Sequence, residues 1–488
     1  MVRARRHLAC CQLAVGVYVA STLLLPAVAT KRAVDQSCLD EDPLCDHWSH
    51  IAECVANPYF MRKTCAKSCQ AEPTCALRPV WPVDWPGHAT EAATRLYALQ
   101  GPGVAGKAHA DFFRRDVSMG SYLLPNQKVR GPGWLMLGSL GSGTYLGNED
   151  EETDERVACG IIAGIGHGWN VIDTASNYRN GRAELAVGRA LRAVRASPFI
   201  EREMLFVSTK AGFVAEHLLK GLRSAGTIQD SDMAAGSHCI APACLRASLT
   251  QSLTSLNLQT VDLLYLHNAA EMQLGPLGKQ GFRQLLGEAF RALEELRSEG
   301  KIRAYGMATW DCFRLPPDSP SHVSLQEVVA LAKDIGGLDH GFRYVQLPIN
   351  AAMPEAWRER WQSMPTRTLH DDGRLDVATA VETVMGSLME AAARLGVGVF
   401  ASGPLQEGQL LGDRHLQDLV HQVPDLVEEG EFATQLLQIA RSTPLLTASL
   451  VGMKTRDHTD ANLKLTAYAP LNSSQFANLH HFWEVSAV

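Results

Sequence analysis

The sequence predicts an α/β protein, a (β/α)8 barrel preceded by a small disulfide-rich module. Three observations carry that reading. From Trp134 onward, eight short apolar segments alternate with amphipathic helical stretches. Consecutive apolar segments end in Asp173, Lys210 and His267. Six of the 12 cysteines crowd between Cys38 and Cys75.

The chain has 488 residues, enough for two to four folding units. Apolar residues make up 46% and charged residues 20%, a globular composition. The net charge of −7 gives no electrostatic case for nucleic acid binding. No apolar run after the N-terminus reaches the length of a membrane span, which excludes a multi-pass membrane protein.

Residues 1–29 have a signal-peptide pattern: Arg3, Arg5 and Arg6, then an apolar run from Leu8 to Leu25, then Ala27-Val28-Ala29. Cleavage is expected because Pro26 and the Ala-x-Ala end the run. An uncleaved anchor is the alternative, and only then would the chain be held in a membrane. The pattern implies the secretory pathway, the endoplasmic reticulum lumen or the medium. A bipartite plastid presequence would start the same way. Asn472-Ser473-Ser474 is a glycosylation sequon, usable only in a lumen.

Between Cys38 and Cys75 the aliphatic content is too low for a core, so disulfides are expected to hold the module. A zinc site is the alternative, but the paired C-x2-C knuckles that zinc prefers are missing. Cys38, Asp40, Cys45, Trp48, Glu53-Cys54, Asn57-Pro58, Met61, Cys65 and Cys69 resemble the ShK toxin-like (ShKT) domain. The Cys69 to Cys75 spacing is longer than that family's usual ending. The resemblance implies the pairs Cys38–Cys75, Cys45–Cys65 and Cys54–Cys69. The toxins' pore-plugging Lys-Tyr falls on Tyr59-Phe60 here, so channel blocking is not implied.

Residues 76–112, with Pro79, Pro82 and Pro86, are expected to be a linker with little regular structure. Val117 to Val129 suggests a hairpin around Pro125-Asn126. The expected strands are Leu135–Leu140, Asn170–Asp173, Leu205–Lys210, Asp262–His267, Arg303–Ala308, Tyr344–Pro348, Gly398–Ala401 and Ala448–Val451. Helices are expected at Arg182–Arg195, Ala243–Asn257, Phe282–Glu299, Ala378–Leu395 and Phe432–Arg441. Eight such units suit a closed barrel over residues 113–488. A doubly wound dinucleotide-binding fold would want G-x-G-x-x-G, and the glycines from Gly138 to Gly143 have the wrong spacing.

Barrel strands open their C-terminal ends on one face, so Asp173, Lys210 and His267 are expected on one rim, with Tyr178 leaning over it. Singly, a strand-end Asp is a helix cap, a Lys a solvated cation and a His a buried structural group. Together at matched strand ends they suggest chemistry.

The sequence resembles the aldo-keto reductases from about Val117 onward. The motifs are Gly143-Thr144-Tyr145, Asp173-Thr174-Ala175-x-x-Tyr178, Glu184-x3-Gly188, Ser208-Thr209-Lys210, Val261 to His267, Gly300-Lys301-Ile302-Arg303 and Gln346-x-Pro348-x-Asn350. The resemblance implies NADP-dependent reduction of a small carbonyl substrate by the catalytic set Asp173, Tyr178, Lys210 and His267. Tyr178 would be the general acid. Lys210 would lower its pKa, Asp173 would hold Lys210 charged, and His267 would position the carbonyl oxygen. Gly143, Thr144, Tyr145, Asp173, Thr309, Gln346, Ser402, Lys454, Thr455, His458 and Asn462 fall on cofactor-binding positions of the family. Lys454 would favour NADPH through its 2′-phosphate. This chain departs from the family at Thr309-Trp310, at Ser402-Gly403-Pro404-Leu405, where the nicotinamide-stacking ring is missing, and at His458 and Ala461. No metal site is expected. Gly212 to Cys239, long, polar and expected to be a loop, and Met353 to Asp376 read as specificity elements over the rim. Cys312 reads as an inert filler. The alternative function is a barrel that binds the cofactor in a regulatory or interaction role with little turnover.

Overall fold

The computed structural model describes residues 84–100, 112–116, 123–124, 127–128, 134–197, 199–365, 368–369, 375–376, 383–421, 423, 426 and 431–486. The expected signal segment, the six clustered cysteines and part of the 76–112 stretch lie outside the described residues.

Eight parallel strands close a barrel. They are β1 (Leu140–Gly143), β2 (Val171–Asp173), β3 (Phe206–Ala211), β4 (Val261–His267), β5 (Ile302–Ala308), β6 (Phe342–Pro348), β7 (Gly398–Ser402) and β8 (Ala448–Gly452). Each pairs with its neighbours in chain order, and β8 returns to β1 through Leu450↔Gly141. A pleated strand sends alternate side chains to opposite faces. Val171, Phe206, Leu263, Tyr265, Tyr344 and Phe400 form one buried cluster inside the barrel. Their sequence neighbours Ile172, Val207, Leu264 and Val345 join the larger cluster beneath the helices. Burial on both faces is why these strands appear as unbroken apolar runs.

Helices Arg182–Arg195 and Phe432–Arg441 have the expected bounds, and Pro242–Leu256 lies one residue from them. The expected Phe282–Glu299 helix is the last part of a longer element, Ala269–Ser298, interrupted at Gly278. Among the described residues no helix is long and apolar enough to cross a membrane.

Four expectations are corrected. Leu135–Gly138 is not a barrel strand but pairs antiparallel with Phe113–Asp116, and β1 begins only at Leu140. Leu135–Gly138 is the apolar stretch, whereas β1 is only Leu-Gly-Ser-Gly, so the apolar signal fell on the strand before the barrel. The proline-rich stretch gives way at Glu91–Gln100 to a helix that buries Ala93, Thr94, Tyr97 and Ala98 on one face. The Ala378–Leu395 helix is confined to Leu388–Leu395, because Ser387 and Glu390 form a capping box and Thr383–Gly386 pairs with Gln362–Pro365. The Gly212 to Cys239 stretch holds a helix, Glu216–Ser224, over a small core of Val214, Leu219 and Ile228. Within the expected 117–129 hairpin, Leu123–Leu124 pairs antiparallel with Gln127–Lys128; Pro125-Asn126 lies outside the described residues.

Candidate active site

Strand parity explains the site. Asp173 lies two residues beyond Val171, Lys210 four beyond Phe206 and His267 two beyond Tyr265, so all three continue the inward-facing rows at the C-terminal rim. Ser208 is in register with Asp173, and Lys210 with Tyr265.

Lys210 is 1% exposed and its Nζ lies 2.5 Å from Asp173 Oδ2. It also donates to the Thr174 carbonyl at 2.9 Å. The other Asp173 oxygen accepts from Ser208 Oγ at 2.7 Å and from Gln346 Nε2 at 3.0 Å. Burial opposes the Lys210 charge, but Asp173 and Tyr178 outweigh it and raise the pKa above the ordinary lysine value.

Tyr178 opens a single 3-10 turn, Tyr178–Gly181, in which Arg179 and Asn180 both take left-handed backbone angles. Two such non-glycine residues in sequence are strained. The buried Arg179 side chain holds the turn by donating to Asp154 Oδ1 at 2.7 Å and to the Asn148 carbonyl at 3.2 Å. The Lys210 ammonium lies 4.7 Å from the Tyr178 ring centroid. The Tyr178 ring meets that of His267 at 5.7 Å and that of Tyr145 at 4.9 Å, both edge-on.

Burial dominates the Tyr178 pKa and raises it; Lys210 acts to lower it, the direction expected of that cation, and offsets part of the rise. The hydroxyl is therefore protonated at neutral pH, the form an acid must have. His267 is held well below the ordinary histidine pKa by burial, then by Lys210 and His238, so its ring is neutral.

The other candidates lie around the same rim. Gly143 ends β1 between Asp173 and Gly452. Thr144 is buried and donates to the Asp173 carbonyl at 3.1 Å, and Tyr145 is 54% exposed. Thr309 follows β5; its N–H donates to the Gln346 carbonyl at 2.8 Å and its hydroxyl accepts from Cys312 Sγ at 3.4 Å. Gln346 lies in β6, Ser402 ends β7 and Lys454 follows β8. Thr455 caps helix Arg456–Lys464 by accepting from the His458 N–H. Asn462 reaches back to the Gly452 carbonyl at 3.4 Å, and His458 is exposed. Cys312 is a free, buried thiol whose pKa burial pushes well up.

Sequence reasoning missed three supports. Arg179 and Asp154 brace the tyrosine turn. Glu271 Oε1 accepts the backbone N–H groups of Trp310 and Asp311 at 2.9 Å each, fixing the loop after β5. Cys239 and Cys244 are disulfide-bonded to each other, and Cys159 is also in a disulfide. The even cysteine count and the short Cys239–Cys244 spacing were the available signals.

The Aldo/keto reductase family profile matches residues 139–315, and the ShK domain-like profile matches residues 37–71. The chain is similar to the NADH-specific methylglyoxal reductase of Escherichia coli (strain K12), 33% identical over 144 residues, covering 30% of this chain and 38% of the relative. It is similar to the D-threo-aldose 1-dehydrogenase of a Pseudomonas species, 30% identical over 181 residues, covering 36% and 51%. The chain thus spans about half or less of the length of these relatives. Among solved structures, an aldo/keto reductase from Klebsiella pneumoniae in complex with NADP and acetate aligns with a TM-score of 0.45 and 18% identity, over 72% of this chain and 92% of that one. The likeness to the Aldo/keto reductase family is thus carried by residues 139–315, and that to ShK domain-like modules by residues 37–71.

Proposed function

We propose that the barrel is an NADP-dependent carbonyl oxidoreductase that reduces an aldehyde or ketone to an alcohol. The observation that carries this reading is the line from the buried Asp173 and Lys210 to the half-buried Tyr178, with the ammonium 2.5 Å from the carboxylate and 4.7 Å from the phenol ring centroid.

Tyr178 donates its hydroxyl proton to the carbonyl oxygen. Lys210, kept charged by Asp173, stabilises the phenolate left behind. His267 is neutral and offers a hydrogen bond to the same oxygen without adding a second cation. Tyr145 and Trp310, 54% and 41% exposed, present aromatic surface at the rim for the substrate's carbon skeleton.

The residues present fit a phosphorylated nicotinamide cofactor, which when bound supplies the hydride. Lys454 makes no ion pair among the described residues and precedes the N-terminus of helix Arg456–Lys464, a pairing of cation and free N–H groups that suits a phosphate. Gly143, Thr144, Thr309, Gln346, Ser402 and Asn462 would form the rest of the cradle. The names of the relatives divide: one is NADH-specific, and the glycerol 2-dehydrogenase of Hypocrea jecorina is marked NADP(+). Lys454 favours the phosphorylated form. Lys454→Ala should weaken NADPH binding about tenfold or more and leave NADH binding nearly unchanged, as read by fluorescence quenching. Equal affinity of the parent for both cofactors would contradict the assignment.

The decisive variant is Tyr178→Phe, which keeps the ring and removes the proton donor. Turnover across an aldehyde panel should fall by about 10²–10⁴ while NADPH binding persists. A parent that binds NADPH and reduces nothing would favour the regulatory reading. The Cys239–Cys244 bridge also supports residence in an oxidising compartment, as the N-terminal segment suggests.

A further inference from the structure

His238 lies outside every motif quoted above, at the end of the stretch after β3. It is wholly buried. Its Nε2 lies 2.8 Å from the backbone carbonyl oxygen of His267. A carbonyl can only accept, so Nε2 carries the proton and Nδ1 is left as an acceptor. The Gln273 amide nitrogen lies 3.1 Å from Nδ1 and donates to it. The two contacts fix one tautomer.

The approach is built into the chain. At Gly212, φ is +150°, and a Cβ there would lie 2.8 Å from the His267 oxygen and 2.9 Å from His238 Nε2. Only glycine leaves room for this contact. The Phe213 ring then packs edge-on against both imidazoles, at 5.0 Å from His238 and 5.2 Å from His267. Backbone bonds in both directions tie His238 to Ala234. The next residue, Cys239, donates its N–H to the Gly212 carbonyl at 2.7 Å and is bridged to Cys244 in helix Pro242–Leu256.

We propose that His238 is a positioning residue for the reduction: it donates from Nε2 to the His267 carbonyl and, with Phe213, fixes the His267 ring against Tyr178. This rests on the reductase reading of the site. It assigns the end of the Gly212 to Cys239 stretch a part in the chemistry beyond shaping the pocket. A hydrogen bond to the carbonyl of a strand's last residue governs where that residue's side chain points, and misplacement by about 1 Å can cost on the order of 10²-fold in rate.

The test compares His238→Phe, which keeps a ring but no donor, with His238→Gln, whose amide nitrogen replaces Nε2. In the full chain, His238→Phe should lower kcat by about 10–100-fold with the NADPH dissociation constant unchanged. His238→Gln should recover most of the loss. Equal losses in both variants, matched by equal losses of thermal stability, would make His238 a packing residue and overturn the proposal, as would an unchanged kcat in a folded His238→Phe. If His238→Phe does not fold, Gln273→Met takes its place, and an unchanged kcat there is equally fatal. Nitrogen NMR of the histidine-labelled parent supplies a readout independent of turnover. His238 should show a protonated Nε2 and an acceptor Nδ1. That signature in a parent without turnover would refute the reductase reading and spare the contact, whereas the opposite tautomer would refute the contact itself.

Discussion

Glu184 shows what burial does to a single group near the site. Its carboxyl accepts from the Thr209 hydroxyl at 2.6 Å, and burial raises its pKa to about 7. Unfolded, it titrates near 4.5. Between these values the folded chain holds a proton that the unfolded chain has released. Its contribution is therefore complete below about 4.5 and is lost as pH rises through about 7. At about 1.4 kcal/mol per unit, the loss approaches about 3 kcal/mol. Glu184→Gln should flatten the fall in stability over that window, as read by denaturant midpoints at several pH values. A parallel pH profile would show that Glu184 is not the group responsible. At this scale the sequence was legible where a residue's job follows from strand parity. Asp173, Lys210 and His267 continue inward rows that Val171, Phe206 and Tyr265 begin. Arg179 and His238 were not legible, because their partners Asp154 and His267 lie 25 and 29 residues away in the chain. Only the closed fold brings them together. The direction of the Tyr178 shift also depended on burial, which no motif states.

Among the elements, the helix Glu151–Gly166 bears on the cofactor end of the rim. A Cβ added at Gly160 would fall 2.2 Å from the Met453 carbonyl oxygen, closer than packing permits. The obstacle is backbone, so the helix or the segment after β8 must move. Lys454 is the next residue in that segment. Gly160→Ala should therefore cost about 1–3 kcal/mol in stability and, if Lys454 holds the cofactor phosphate as proposed, also weaken NADPH binding by displacing it. A melt together with a binding titration separates the two effects. Intact affinity in the variant would mean that the helix yields and the Lys454 segment does not. Element existence was readable from sequence because each barrel strand is a short apolar run between amphipathic helices. Element identity was not readable at Leu135–Gly138, where a strand outside the barrel is more apolar than the Leu-Gly-Ser-Gly barrel strand that follows.

Across the whole molecule, the candidate site sits at the C-terminal rim, and a buried stabilising cluster sits at the opposite end. Asp262 enters β4 five residues before His267, and its side chain is 2% exposed. One oxygen accepts from Arg202 Nη2 at 2.7 Å and from the Val207 N–H at 2.8 Å. The other accepts from the Ala89 N–H at 2.6 Å, tying the segment before Glu91–Gln100 to the barrel. That segment is further held by the Trp85 N–H to the Asn257 carbonyl at 2.8 Å, and the helix itself by the Tyr97 hydroxyl to the Ile165 carbonyl at 2.5 Å. Asp262→Ala leaves the Arg202 charge buried without its partner and orphans two backbone donors. Breaking a buried pair from one side costs about 3–5 kcal/mol. The rim is built from the far ends of the strands, so kcat per folded molecule should change little at temperatures where the variant remains folded. Adding Arg202→Met should restore part of the stability, because the uncompensated charge is then gone. Denaturant unfolding of the single and double variants, with kcat measured on each, checks both halves. A double variant less stable than Asp262→Ala alone, or a large fall in kcat without loss of stability, would contradict this division of the barrel into a stabilising base and a reactive rim.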